Sequence, residues 1–435
     1  MPITYHVEKS AKLSGNIRVA GDKSISHRAI MLGAIAEGIT QINGFLTGAD
    51  ALATLNAFRA MGVKIEGPSV DNTVIVHGVG KHGLKTPTSA LDCGNSGTSM
   101  RLLAGLLSGQ NFAAELVGDS SLSKRPMRRV SEPLKQMGAQ IELTTNDYPP
   151  VKISPTKKLH GIKYDMPIAS AQVKSALLLA GLYASGTTTV IEPHPTRDHT
   201  ERMLQALQYP IKVHGNEITL EGSYSLIGTM LQVPADISSA AFFMVAASIA
   251  PGSNILLTEV GINPTRTGVI DILKLMGADI TFENQRTLGA EPIADIRVRY
   301  AKLHGIHIPE KFVPLAIDEF PVIFIAAANA EGETILTGAQ ELRVKESDRI
   351  QVMADGLALL GVDAKPLPDG MKIRGGAYHG GTIESHGDHR IAMAFTIAGL
   401  TAQTLIQINN CDNVATSFPN FVELAQHCGI RCKLK

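Results

Sequence analysis

An α/β chain of two domains, assembled from six copies of one unit, is the architecture this sequence predicts, and three observations carry it. An apolar, small-residue helix with a polar and cationic front recurs six times along the 435 residues. A second phrase alternates with it, in which an amphipathic helix ends at Gly and an alternating strand follows. The chain also exceeds one ordinary domain and, at 44% hydrophobic, can bury more than one core.

The first copy, "GDKSISHRAIMLGAIAEG" at 21–38, packs Lys23, Ser24, His27 and Arg28 into its front and then turns apolar. Asp22 or Ser24 is placed to cap the helix and Gly38 to end it in the left-handed conformation. A helix N-terminus carries about half a positive charge and unpaired N–H groups, so it attracts anions. Lys23 and Arg28 add full charges there. "CGNSGTSMRLLAGLLSG" at 93–109 repeats the grammar, as does "ASAQVKSALLLAGLYASG", which ends at Gly186. "ADISSAAFFMVAASIAPG" ends at Gly252 and "IDEFPVIFIAAANAEG" at Gly332; "GDHRIAMAFTIAGLTAQ" at 387–403 is the sixth, without the closing glycine. Lacking a polar face, these helices belong in the interior. Three per domain with their N-termini on one side would concentrate positive potential there.

The second phrase reads "MGVKIE" at Met61, "MGAQIE" at Met137, "MGADITFE" at Met276, "LGVDAKPL" at Leu360 and "CGIRCKL" at Cys428, with a degraded copy, "LQYPIKVHG", at 207–215. Six units in 435 residues give a mean repeat of about 72, too long for a solenoid and long enough for a small α/β subdomain.

Lys plus Arg and Asp plus Glu balance at 40 each, which argues against a general nucleic-acid binder. No Trp is present and aromatics are 5%, so base-stacking platforms are not expected. The four cysteines, Cys93, Cys411, Cys428 and Cys432, form no CxxC pair and read as thiols in a reducing compartment. "MPITYHVEKSAKLSG" lacks the apolar core of a signal peptide, and no greasy stretch approaches the ~18 residues that span a bilayer. A cytoplasmic protein is expected.

"GDKSISHRA", "GNSGTSMRLL", "LSKRPM", "ASAQVKSALL", "TRDHTERML", "LRVKESDR" and "GDHRIAMA" follow one another along the chain. As a set they resemble the 5-enolpyruvylshikimate-3-phosphate synthase family, across nearly the whole length. The resemblance implies two domains, each of three βαβαββ units in an inside-out α/β barrel, with the active site in the cleft between them. The family's chain path implies one domain at 20–234 and a second from 1–19 plus 235–435. It also implies transfer of the enolpyruvyl group of phosphoenolpyruvate to shikimate 3-phosphate with release of phosphate, by a monomer that needs no metal or organic cofactor.

Two substrates, each with a phosphate and a carboxylate, demand a cationic site, and Arg forks suit such groups. The resemblance implies that shikimate 3-phosphate contacts Lys23, Ser24, Arg28, Ser170, Gln172, Arg197, Asp318 and Lys345. It gives phosphoenolpyruvate to Lys23, Gly97, Arg125, Gln172, Arg349 and Arg390, with Asn95 and Glu346 close by. Asp318 is the expected base for the attacking hydroxyl, Glu346 the expected proton carrier at C3, and Lys23 a catalytic cation. A surface ion pair is the usual fate of an Arg; seven cations in family motifs argue otherwise.

The chain departs from the commoner bacterial and plant form at Ala171, Leu102 and Thr416, the last where that form has a Lys reaching phosphoenolpyruvate. These changes and "TRDHTE" resemble a divergent subgroup that includes members tolerant of glyphosate, a phosphoenolpyruvate-site inhibitor. Gly97 points to sensitivity, because tolerant members carry Ala there. A related UDP-N-acetylglucosamine enolpyruvyl transferase is the alternative enzyme, although "DSSLSKRPM" lacks the loop Cys of that family. A non-catalytic anion-binding protein on the same repeats is the other alternative. "GVGKHG" at 78–83 matches GxGxxG, but Pro87 follows and no helix opens there, so no dinucleotide site is expected. His386 and His389 of "HGDH" lack a third metal ligand.

Overall fold

The computed structural model describes residues 2–10, 12–156 and 158–435. The chain forms two compact units, 21–233 and 1–20 with 234–435.

In the unit 21–233, strand Leu91–Asp92, helix Gly97–Leu107, strand Ala114–Val117, helix Arg128–Gln136 and strands Gln140–Glu142 and Val151–Ser154 follow in order. The first two strands pair in parallel, the rest antiparallel, which is one βαβαββ repeat. Strand Lys163–Asp165 opens a second copy of the same pattern. The repeat at the front of this unit takes its first strand from the far end, since Met230–Gln232 pairs in parallel with Glu37–Asn43.

The unit 1–20 with 234–435 repeats the scheme with three variations. Ser14–Ile17 serves as first strand for Asn254–Gly261. The last repeat is completed by Tyr5–Glu8, between Ile406–Asn409 and Arg431–Leu434. In the middle repeat the first strand shrinks to single bridges, His304 to Glu331 and His307 to Ile335.

The six small-residue helices are Lys23–Ala34, Gly97–Leu107, Ala171–Gly181, Ile237–Ile249, Phe320–Ala328 and His389–Ala398. Every residue of Ile237–Ile249 and of Phe320–Ala328 is buried, as helices without a polar face require. Small residues let them approach closely: a Cβ at Gly105 would lie 2.1 Å from the Ala176 carbonyl oxygen on the neighbouring helix. The amphipathic helices end as their glycines suggest, with Gly62, Gly138, Gly277, Gly361 and Gly429 all at φ between +85° and +103°. In the degraded copy, Gln208 takes the left-handed position at φ +60°. The sixth small-residue helix ends with Gly399 at its C-cap.

The GxGxxG match belongs to strand Val74–Val79 and the turn after it. Gly78 is demanded by packing, because a Cβ there would meet the Ala36 carbonyl oxygen at 2.2 Å. Among the described residues no helix is long and apolar enough to cross a membrane.

Candidate active site

In the unit 21–233 the first turns of three small-residue helices meet. Asp22 caps the first, its Oδ1 accepting from the Ile25 N–H at 2.9 Å. One residue on, the Lys23 ammonium pairs with the buried carboxylate of Asp50. Ser24 is half-buried, and its carbonyl accepts from Arg28 Nη1 at 3.0 Å. Arg28 is buried, donating from Nε to Thr200 Oγ1 and from Nη2 to Ser175 Oγ, both at 2.7 Å.

Ser96 caps the second helix by accepting from the Ser99 N–H. Just before it, Asn95 Nδ2 donates to Asp119 at 2.7 Å and Asn95 Oδ1 accepts from Arg125 Nη2 at 2.8 Å. Gly97 faces two guanidiniums: a Cβ there would lie 3.1 Å from Arg101 Nη1 and 3.3 Å from Arg125 Nη1. Ser170 caps the third helix. Gln172, in its first turn, accepts from Arg101 Nη1 at 2.5 Å and donates to Thr98 Oγ1 at 3.0 Å. Arg197 is half-buried in the loop between strand Thr187–Ile191 and helix His199–Ala206.

Behind these groups His27 is enclosed, with Nδ1 2.8 Å from Thr54 Oγ1 and Nε2 3.3 Å from Ser96 Oγ. Burial first, and then the charges of Lys23 and Arg28, push its imidazole well below the usual range, so it is neutral.

In the other unit the same three-helix meeting recurs. The Ser238 hydroxyl, in the first turn of Ile237–Ile249, donates to Glu319, the N-cap of Phe320–Ala328. Arg390, in the first turn of His389–Ala398, donates to the Asp318 carbonyl at 2.9 Å and has Nη1 3.7 Å from Glu319 Oε1. The Asp318 carboxylate accepts from Lys345 at 3.2 Å and lies 3.6 Å from Arg349 Nη1. Arg349, with a side chain only 1% exposed, donates from Nη2 to Glu346 at 2.6 Å and from Nε to Asp388 Oδ2 at 2.8 Å. Asp388 Oδ1 meanwhile caps its helix through the Arg390 N–H at 2.9 Å. Burial alone would raise the Asp388 carboxyl, but the Arg349 guanidinium outweighs it and holds the group below the usual carboxylate range. Burial would likewise lower Arg349, and Asp388, Glu346 and Asp318 together raise it instead.

Of the expected site residues, Lys23, Ser24, Arg28, Asn95, Gly97, Arg125, Ser170, Gln172 and Arg197 therefore lie in the first unit. Asp318, Lys345, Glu346, Arg349 and Arg390 gather in the second. At the departure site Thr416, the hydroxyl donates to the Asn413 carbonyl at 2.7 Å and supplies no cation. The sequence reading missed Arg101 as a site member, although its place one helical turn after Gly97 was a usable signal. It also missed Asp50, Glu319 and the pairing of Asp388 with Arg349, partners distant in sequence. Among the described residues no group of three His, Cys, Asp or Glu side chains could hold a metal ion. A cavity of about 610 Å³ lined by His82, Gln110, Tyr183 and Glu221 among others borders none of the expected site residues.

The family described as EPSP synthase (3-phosphoshikimate 1-carboxyvinyltransferase) matches residues 7–424. The chain is 61% identical over 428 residues to a 3-phosphoshikimate 1-carboxyvinyltransferase of Methylococcus capsulatus, covering 98% of each. It is 63% identical over 427 residues to one of Alkalilimnicola ehrlichii, covering 98% of this chain and 96% of that one. The EPSP synthase structure from Acinetobacter baumannii matches with a TM-score of 0.90 and 58% identity over all of both chains. The enolpyruvyl transferase NikO from Streptomyces tendae shares the fold at a TM-score of 0.81 and 18% identity, covering 100% of this chain and 99% of that one.

Proposed function

The chain belongs to the EPSP synthase family, and from that premise we propose how its side chains carry the reaction. The enzyme transfers the enolpyruvyl group of phosphoenolpyruvate to the 5-hydroxyl of shikimate 3-phosphate and releases phosphate, a step of aromatic biosynthesis. Shikimate 3-phosphate takes Lys23, Ser24, Arg28, Ser170, Gln172, Arg197, Asp318 and Lys345; phosphoenolpyruvate takes Lys23, Gly97, Arg125, Gln172, Arg349 and Arg390, with Asn95 orienting Arg125.

Glu346, in its protonated form, delivers a proton to C3 of phosphoenolpyruvate, which makes C2 electrophilic. Asp318 accepts the proton of the 5-hydroxyl as its oxygen bonds to C2. A tetrahedral ketal phosphate results. C3 then returns its proton to Glu346, the C2 double bond re-forms, the bond to the phosphate oxygen breaks, and the departing phosphate takes up the proton that Asp318 received. Lys23 and the arginines stabilise charge gathering on the departing phosphate.

The observation that carries this reading is Arg349, which ties Glu346 at 2.6 Å and reaches Asp318 at 3.6 Å. One guanidinium thus holds both carboxylates of the acid–base scheme beside the cations that neutralise the substrates. We read the enzyme as a monomer, and as cytoplasmic in keeping with four buried free thiols. The test is phosphate release with each substrate omitted in turn. Release should require both; release with UDP-N-acetylglucosamine replacing shikimate 3-phosphate would overturn the substrate assignment.

A further inference from the structure

The loop 192–198 joins strand Thr187–Ile191 to helix His199–Ala206 and carries Arg197. Three of its surroundings converge on one buried ammonium. Lys174, 1% exposed at its side chain, reaches Glu192 Oε2 at 3.0 Å, Glu201 Oε1 at 2.6 Å and the Thr196 carbonyl at 3.4 Å. Glu192 stands where the strand ends, Thr196 immediately before Arg197, and Glu201 in the first turn of the following helix. The Thr196 hydroxyl also donates to Glu192, which closes the loop on itself. The next residue on the same helix as Lys174, Ser175, shares hydrogen bonds with Thr200 and Arg28.

A buried ammonium between two carboxylates is costly to desolvate and weak as a general stabiliser, so its use is geometric. We propose that Lys174, Glu192 and Glu201 form a buried ion-pair knot that positions Arg197, and through Thr200 also Arg28, for shikimate 3-phosphate. This rests on the assignment of Arg197 and Arg28 to that substrate given above. The three are positioning residues that act through Arg197 and Arg28. Burial pushes the Glu201 carboxyl up, against the pull of Lys174, which fits a knot with one ammonium for two acids.

Because a misplacement of about 1 Å can cost about a hundredfold in a positioned site, the effect should fall on one substrate. The experiment measures KM for each substrate and kcat in Lys174→Met, with Arg197→Gln as reference and thermal melting to verify folding. Lys174→Met should raise the shikimate 3-phosphate KM about tenfold or more and leave the phosphoenolpyruvate KM within about twofold. A purely structural role would lower the melting temperature and the active fraction without separating the two KM values, and that result overturns the inference. An unchanged shikimate 3-phosphate KM in a folded Lys174→Met overturns it as well. If Arg197→Gln itself leaves that KM unchanged, the assignment of Arg197 fails and the inference with it. Should Lys174→Met not fold, Glu201→Gln, which keeps the shape of the knot, decides on the same separation of KM values.

Discussion

Gly97→Ala adds one methyl group at the point where two guanidiniums converge. The added Cβ would lie 3.1 Å from Arg101 Nη1 and 3.3 Å from Arg125 Nη1, closer than carbon and nitrogen settle comfortably. Neither arginine is at liberty to drift. Arg125 is bonded to Asn95 at 2.8 Å and Ser121 at 3.2 Å, and Arg101 to Gln172 at 2.5 Å. The guanidiniums must shift by a few tenths of an ångström or the ligand must. Overpacking of this kind costs ~1–3 kcal/mol, and one lost charge-assisted hydrogen bond costs ~1.5–3 kcal/mol. Together these figures span a weakening of anion binding of roughly 5- to 140-fold. Gly97 is the first residue of a capped helix, where Ala is at least as good in propensity, so any loss of stability would come from the guanidinium contacts.

The assay is steady-state phosphate release against phosphoenolpyruvate, with and without glyphosate. Wild type should be inhibited competitively, because the local pocket outweighs the scaffold differences at Ala171, Leu102 and Thr416. The variant should show a phosphoenolpyruvate KM raised about tenfold and an inhibition constant raised further, the longer ligand losing more room. A phosphoenolpyruvate KM within about twofold of wild type, with glyphosate inhibition unchanged, would refute the reasoning.

Asp318→Asn keeps size and most hydrogen bonding, so calorimetry should still detect shikimate 3-phosphate while kcat falls ~10²–10⁴-fold; near-normal turnover sinks the assignment of the base. Asp388→Asn preserves a good helix cap but removes the carboxylate charge facing Arg349. We expect a higher phosphoenolpyruvate KM, and a shallower acid limb in urea unfolding, since the depressed native Asp388 contributes stability above its unfolded value near 3.8 that is lost as pH falls through the native value. An acid limb as steep as wild type would count against that account. His27 is neutral in the fold, so as pH drops below ~6.5 the unfolded chain takes up the proton first and stability declines by up to ~1.4 kcal/mol per pH unit. Urea midpoints at pH 7.5 and 5.5 should therefore differ less in His27→Gln than in wild type, and equal differences would exclude His27 as the titrating group.

The repeats were legible because their cause is local. A helix with no polar face must be buried, and a glycine after an amphipathic helix marks its left-handed end. Even the degraded copy followed the rule, with Gln208 in the glycine's place at φ +60°. The candidate site residues were legible only as motifs, since composition and spacing alone left the front of helix Lys23–Ala34 open to a bland reading. What the motifs did not reveal was pairing. Lys23 with Asp50 spans 27 residues and Arg349 with Asp388 spans 39. The first pair joins the two helices of one repeat and the second joins successive repeats, and no local periodicity announces either. Gln172 and Arg101 were both in view, yet their bond joins two different helices, 71 residues apart.

This pairing changes what a cationic site means for a chain of zero net charge. Bare cations crowded together within either unit would repel and would resist burial. Instead Lys23 faces Asp50, Lys345 faces Asp318, Arg349 faces Asp388 and Glu346, and Arg390 lies near Glu319. Each carboxylate fixes its cation's direction before any substrate arrives, so little reorganisation is left for the moment of reaction. An arginine can be held this way and still serve, because its fork has five N–H donors. Arg349 spends Nε and Nη2 on Asp388 and Glu346, while Nη1 makes no hydrogen bond among the described residues. That arm lies 3.6 Å from Asp318, and on the proposal above it can bond an incoming carboxylate while the hydrogen bonds of Nε and Nη2 are kept. An anion therefore joins an existing network rather than dismantling one, and the carboxylates that looked like competitors for the cations are what keep them in position.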